Sequence, residues 1–257
     1  MRTVPIVVSA AILALALAGC STGSPSSTNS GGGTSGGGGG SAPVSSKTYS
    51  ADDLVTILKK AQTTLGVKGT IQDDKALKAI IGKGTTGSIT QQLAKEGAKF
   101  EPPACSALLD SLTKDASDFG EGTGGVGAEL QYSSNILGIS TSTTPGTPGK
   151  LGAEISKDMD SMATDCANMK LKMSVAGQSF SIGMSFKKAP ATTNANQTYG
   201  YLETVDAGVT GAKATETASI VAVYGNLFIS DTELTVASAT TMSDLEKAIN
   251  AVVAAAQ

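Results

Sequence analysis

"MKLKMSVAGQSFSIGMSF", Met169 to Phe186, is the stretch whose pattern decides the fold. Met169, Leu171, Met173 and Val175 fall on one side of an alternating run, with Lys170, Lys172 and Ser174 on the other. Gly177 turns the chain, and Phe180, Ile182, Met184 and Phe186 repeat the alternation. A period of two with one apolar side predicts an antiparallel hairpin that buries one face.

Reading toward the C-terminus, the polar run "KKAPATTNANQ" (187–197) predicts a loop, and Thr198 to Thr204 a strand. "TETASIVAVYGNLFIS" (215–230) reads as two strands joined by the turn pair Gly225-Asn226. "SDLEKAINAVVAAA" (243–256) reads as a closing helix, with Ser243 and Glu246 as its capping box and Leu245, Ile249, Val252 and Val253 as its buried stripe.

Toward the N-terminus, "LGAEISKDMDSMATDC" (151–166) places Leu151, Ile155, Met159 and Met162 along one helical side and ends at Cys166. "TTPGTPGK" (143–150) is a Pro/Gly cluster and predicts a turn. "VGAELQYS" (126–133) and "NILGISTS" (135–142) predict two strands. "FEPPAC" (100–105) is held extended by its prolines, so Cys105 stands where the chain enters the helix predicted by "SALLDSLTKDA". An extended piece, Val67 to Ile71, and a helical patch, "DDKALKAIIGKG" (73–84), lie further back. Ser50 with Asp53 caps a first helix whose apolar side is Leu54, Ile57, Leu58 and Ala61, stopped by Gly66. Hairpins in succession, without a helix after every strand, predict an α+β fold: an antiparallel sheet with helices packed mainly on one face.

Residues 49–257 form the predicted single domain, long enough for a substantial core. Residues 20–48 are almost all Ser, Gly, Thr and Pro and cannot bury enough apolar surface to fold. As a flexible coil they reach roughly 30 Å. Residues 1–19 carry Arg2, then an apolar run from Val4 to Ala18 too short for a bilayer span, then small residues. They read as an export signal. Leu17-Ala18-Gly19-Cys20 resembles a bacterial lipobox, which implies cleavage before Cys20 and a diacylglycerol, with palmitate-type chains, on its thiol. Two acyl chains suffice for stable anchoring where one does not. The expected location is therefore the extracytoplasmic face of the cell membrane, with the membrane itself as a partner through the anchor.

With Cys20 assigned to lipid, Cys105 and Cys166 are an even pair in an exported protein and are expected to form a disulfide. Two separate buried thiols are the alternative. The net charge of −3 becomes −4 when Arg2 is lost, which excludes the basic footprint that nucleic acid or an anionic bilayer requires.

The order of these elements resembles the extracellular sensor domain of a mycobacterial serine/threonine protein kinase and of related actinobacterial lipoproteins. The residues that carry the resemblance are "PPAC" (102–105), "DCANMKLKMSVAGQSFSI" (165–182) and "VYGNLFIS" (223–230). It implies a sensor-like, ligand-binding domain in the cell envelope. The kinase-attached relatives carry two disulfides and several tryptophans. This chain has cysteines for one such bond and no tryptophan, and no binding residue is carried over to it.

Catalysis has little to build on. Histidine is absent, which removes Ser-His-Asp and Cys-His chemistry. Gly33 to Gly37 matches a nucleophile-elbow string but lies in the Gly-rich tract. Gly122 to Gly127 matches a dinucleotide fingerprint but follows a predicted helix and precedes a strand, the reverse of what pyrophosphate binding needs. The close carboxylate pairs Asp52/Asp53, Asp73/Asp74 and Asp158/Asp160 sit in polar surroundings and read as solvated helix faces. No catalytic, cofactor-binding or metal-binding residue is therefore expected, and two cysteines without histidine do not make a zinc site.

A non-catalytic binding or sensing module, with a small molecule, lipid or envelope protein as its ligand, is the primary expectation. Met159, Met162, Met169, Met173 and Met184 fall on inward faces, where they read as core filling. A carrier of apolar envelope lipids using a Met/Phe-lined pocket is the alternative, and a carboxylate hydrolase a third class. Asn196-Gln197-Thr198 matches a glycosylation sequon, which carries no weight in a bacterial lipoprotein.

Overall fold

A computed structural model of the chain describes residues 47–81, 93–94, 97–111, 125–144, 146–175, 178–206, 214–233 and 241–257. In order these form α1 (Ala51–Leu65), β1 (Gly69–Gln72), α2 (Asp74–Ile81) and β2 (Lys99–Glu101). A short helix, α3, follows over residues 104–111. Then come β3 (Val126–Tyr132), β4 (Asn135–Thr141), α4 (Thr147–Asp165), β5 (Met169–Val175), β6 (Gln178–Ala189), β7 (Gln197–Asp206), β8 (Thr215–Tyr224), β9 (Leu227–Glu233) and α5 (Met242–Ala256). The expected α+β class holds: all nine strands join one antiparallel sheet in the order β1-β3-β4-β9-β8-β7-β6-β5-β2.

The hairpin read first from the sequence is β5–β6, with Met169 opposite Met184 and Leu171 opposite Ile182. Lys170 and Lys172 face solvent as the alternation requires, while the turn residue Gly177 lies outside the described residues. Strand β6 runs on through Lys187, Lys188 and Ala189, so the first three residues of the predicted polar loop belong to the ladder, paired with β7.

The helices do not gather on one face. Strand β8 shows the division: Ala218, Ile220 and Ala222 enter a core with α1 and α5. Val221 and Val223 enter a second core with α4 and α3, on the other side of the sheet. A strand pressed between two helical layers becomes a continuous apolar run, and "SIVAVY" is one.

Helix α4 begins at Thr147, inside the predicted turn cluster, with Pro148 in its first turn, where the missing N–H removes no intrahelical bond. Its Gly152 lies directly on the sheet. A methyl group there would stand 2.6 Å from Val223 Cγ2, a branched side chain with little rotameric freedom. Gly152→Ala is therefore expected to cost about 1 kcal/mol net, because overpacking of about 1–3 kcal/mol outweighs the gain in helix propensity. A urea midpoint that rises would contradict this packing.

The capping box Ser50/Asp53 forms as read. At the C-terminal helix the box is Thr241/Asp244, two residues before the expected Ser243/Glu246. Both pairs satisfy the three-residue spacing, and the sequence alone does not separate them. The Gly225-Asn226 turn joins β8 to β9 with Gly225 at φ 58°. Asn226 Nδ2 donates to Ser142 O at 2.7 Å and locks that turn to the end of β4.

Candidate ligand-binding face

The residues singled out in the sequence separate on inspection. Cys105 and Cys166 are bonded, with Cα atoms 5.7 Å apart, so the two-thiol alternative is set aside. Cys20, the lipobox and Gly33 to Gly37 lie outside the described residues, and so do Gly122, Thr123 and Gly124 of the Gly122 to Gly127 string. Gly127 itself opens into β3, the strand expected after that string.

Each aspartate pair has at least one member held structurally, while Asp158 Oδ2 is buried without a hydrogen-bond partner. Asp53 accepts from Ser50 N as a cap, and Asp73 accepts from Ala76 N in the first turn of α2. Asp74 pairs with Lys78 at 2.7 Å, and Asp160 with Lys188 at 2.5 Å. Met159, Met162, Met169 and Met184 are each 3 % exposed or less and pack around the disulfide in the second core. That is the packing of filler side chains.

Sequence reasoning passed over three buried carboxyl groups, Asp231, Glu203 and Glu233, and burial raises Asp231 and Glu203. The first is Asp231, fully buried on the face under α1 and α5, between Leu137 of β4 and Ile220 of β8. Tyr132 Oη donates to its Oδ2 at 2.7 Å, and Asn135 Nδ2 reaches Tyr132 Oη at 3.4 Å. Burial raises the Asp231 carboxyl to about 8 against the opposing bonds from Tyr132, Asn135 and Thr232 N–H, so it holds its proton at neutral pH. Burial, and then Asp231, also raise the Tyr132 phenol.

The second is Glu203, on the opposite face. It follows Tyr201 and precedes Val205, both in the second core, and its register partners are Phe186 and Thr217. Glu203 is 5 % exposed, its Oε1 has no hydrogen-bond partner, and burial raises the carboxyl to about 7.

Pairing places further polar groups beside it on the same face. Tyr201 lies opposite Ser219, Ser219 opposite Thr232, and Val221 opposite Ser230. Ser219, Ser230 and Thr232 are all buried, and Ser230 Oγ also lacks a partner. Beyond Ser230 the row continues through Gly138 to Glu129 and Gln72. Burial raises Glu129 as well, against a 2.8 Å bond from Gln131 Nε2. Tyr201, whose phenol burial pushes up to about 12, has Ser156 of α4 beside its hydroxyl.

Among the apolar side chains of the second core, this face also carries buried hydroxyls and one buried carboxyl from three adjacent strands, β7, β8 and β9. The signal of both buried carboxyls in the sequence is a polar residue on the inward side of an alternating run: Glu203 between Tyr201 and Val205 on this face, and Asp231 after Leu227 and Ile229 on the other. Among the described residues no group of three or more His, Cys, Asp or Glu could hold a metal, and no helix is long and apolar enough to cross a membrane.

No family model matches the chain, and no curated protein matches it in sequence. Among solved structures it is similar to an uncharacterised Mycobacterium smegmatis protein, an Rv0999 ortholog, at 15% identity over 79% of this chain and 96% of that one, with a TM-score of 0.37. It is likewise similar to the extracellular domain of PknH from Mycobacterium tuberculosis, at 12% identity over 81% of this chain and 97% of that one, with a TM-score of 0.40. The resemblance to a kinase sensor domain is thus a loose one.

Proposed function

We propose that this chain is a lipid-anchored, extracytoplasmic lipoprotein whose folded region is a non-catalytic ligand-binding or sensing module. The observation that carries the binding reading is the polar sheet face, with Glu203 and Ser230 buried and each holding an unpartnered oxygen. A buried polar group without a hydrogen bond is costly, and natural structures keep such groups where function uses them. The anchoring reading rests on Leu17-Ala18-Gly19-Cys20, and the bonded Cys105–Cys166 agrees with an oxidising compartment.

Geometry supports the non-catalytic part. Carboxylate hydrolysis requires two carboxyls roughly 5–10 Å apart across one bond. Glu203 and Asp231, the two raised to about 7 and about 8, stand on opposite faces of the sheet. Glu129 shares a face with Glu203, but β3 lies four strand spacings from β7, roughly 19 Å. Neither pairing brackets a substrate.

Native mass spectrometry of the protein purified from membranes tests this reading against the lipid carrier. The binding module is expected without stoichiometric apolar lipid beyond its own anchor. One noncovalent lipid per chain would favour the carrier and overturn it.

A further inference from the structure

We propose that the end of the β5–β6 hairpin docks on the bilayer itself, with Phe180 and Met173 entering the headgroup layer and Lys99, Lys170 and Lys172 meeting its anionic groups. This rests on the reading of the chain as lipid-anchored and adds a second contact with the same membrane. Strand β6 pairs with β7 only from Gly183 onward, and β5 with β2 only up to Lys172. Among the described residues, 173–175 and 178–182 therefore pair only with each other, as a two-stranded ribbon. Proteins guard exposed strands with charge or proline, yet the sequence from 173 to 182 contains neither. Phe180, opposite Met173, is 39% exposed, the only large apolar side chain so placed among the described residues.

Charge selects the occupant. The acidic total rules out a basic footprint spread over the chain, but pairing gathers three lysines behind the ribbon. Lys99 lies directly opposite Lys172, a like-charge pair that costs stability, and Lys170 stands two residues away on the same face. One carboxylate, Glu101, bonds Lys172 at 2.7 Å, and neither Lys99 nor Lys170 has an ion pair among the described residues. An anionic surface relieves that repulsion, and each lysine brought to it multiplies binding about fivefold. Lys172 and Lys170 stand one and three residues behind the Phe180 row, about 3 and 10 Å, so an apolar tip precedes a basic collar. That spacing matches an interface where apolar groups sink about 5–10 Å and lysine stems reach back to the headgroups. The tether allows the contact. It enters at Lys47, bonded to Ala256 O, with Tyr49 beside Tyr224 at the end of β8. By register Phe180 lies about 12 residues of strand, roughly 40 Å, from that end. Residues 20–46 extend to roughly 90 Å, more than this distance.

The test uses the full mature-length chain, residues 20–257, with Cys20→Ser so that it carries no anchor. Vesicles are phosphatidylcholine alone, or phosphatidylcholine with phosphatidylglycerol at three to one. The chain has no tryptophan, so Phe180→Trp supplies a single reporter at the contact. Its emission is expected to shift to the blue on the anionic vesicles and to be quenched by brominated lipid. In sedimentation the anionic vesicles should bind the chain at least tenfold more tightly than the neutral ones. Phe180→Asp should weaken that binding at least tenfold, as should Lys170→Gln with Lys172→Gln, with circular dichroism confirming that each variant is folded. Absence of vesicle binding and of the blue shift would overturn the docking, and so would vesicle binding that survives Phe180→Asp. Self-association lost in Phe180→Asp, without vesicle binding, would overturn it in favour of a second copy of the chain. Because the chain tested carries no anchor, these results stand whether or not Cys20 is acylated in cells, which the intact mass of the native protein decides separately.

Discussion

Replacing Cys105 and Cys166 together by alanine is expected to lower the unfolding free energy by about 4 kcal/mol, the chain-entropy value for a closed loop of this size. The bond closes a loop of 61 residues. Against a typical total of about 5–15 kcal/mol, that is enough to bring a marginal domain close to its midpoint at body temperature. The loss should also be local. Cys105 lies in the first turn of α3 just after β2, and Cys166 caps the end of α4 just before β5, and β2 and β5 pair with each other over only three residues. Without the crosslink this short edge strand is held by the buried Phe100, the Glu101–Lys172 pair and three ladder residues, and amide exchange at residues 99–101 should speed up before exchange in the central strands does. Urea denaturation and hydrogen exchange of the double variant check both parts. A change under about 1 kcal/mol would mean that the reduced chain is already constrained by its packing.

The second large effect is on pH. Glu203, raised to about 7, and Asp231, raised to about 8, both by burial, bind their protons more tightly folded than unfolded. Such groups stabilise the fold fully below their unfolded values, near 4, and that stability is lost as pH rises through the folded values. Each contributes a slope of about 1.4 kcal/mol per pH unit within its window, so stability is expected to fall by several kcal/mol between pH 5 and pH 8. The exposed cap Asp244, lowered to about 2 chiefly by bonds from Lys247 and Thr241, acts in the opposite direction at the acid end. Maximum stability is therefore expected near pH 4–5, lower than the usual range. The variant Asp231→Asn with Glu203→Gln keeps the hydrogen-bonding capacity of both groups and removes their titration. Its urea midpoint should be nearly flat from pH 5 to pH 8 and exceed the parent's at pH 8. A parent protein whose stability rises over that range would show that these carboxyls are solvated.

Local periodicity made most of the fold legible. Alternation in Met169 to Phe186 located the β5–β6 hairpin, and Ser50 with Asp53 located the first helix, because both signals are complete within a few residues. What the sequence left open depended on the partner element. "SIVAVY" and "LFIS" are apolar at successive positions, which one helical layer would not require, so the second layer was present in the pattern but not its direction. The first turn of α4 was hidden by Pro148 and Gly149, which read as a turn cluster although a proline fits the first turn of a helix without loss of a hydrogen bond. The candidate site was the least legible part. Glu203, Ser219, Ser230 and Thr232 come from three strands and meet only through register, and register appears in the sequence only when the pairing order is known.

The most direct test of the whole account is the intact mass, under non-reducing conditions, of the mature protein recovered from membranes. The predicted species begins at Cys20, carries a diacylglyceryl group there, and is two hydrogens lighter than the dithiol form through the Cys105–Cys166 bond. A product that retains residues 1–19, or an unmodified Cys20 with two free thiols, would contradict both the tether and the oxidising compartment from which the proposed role follows.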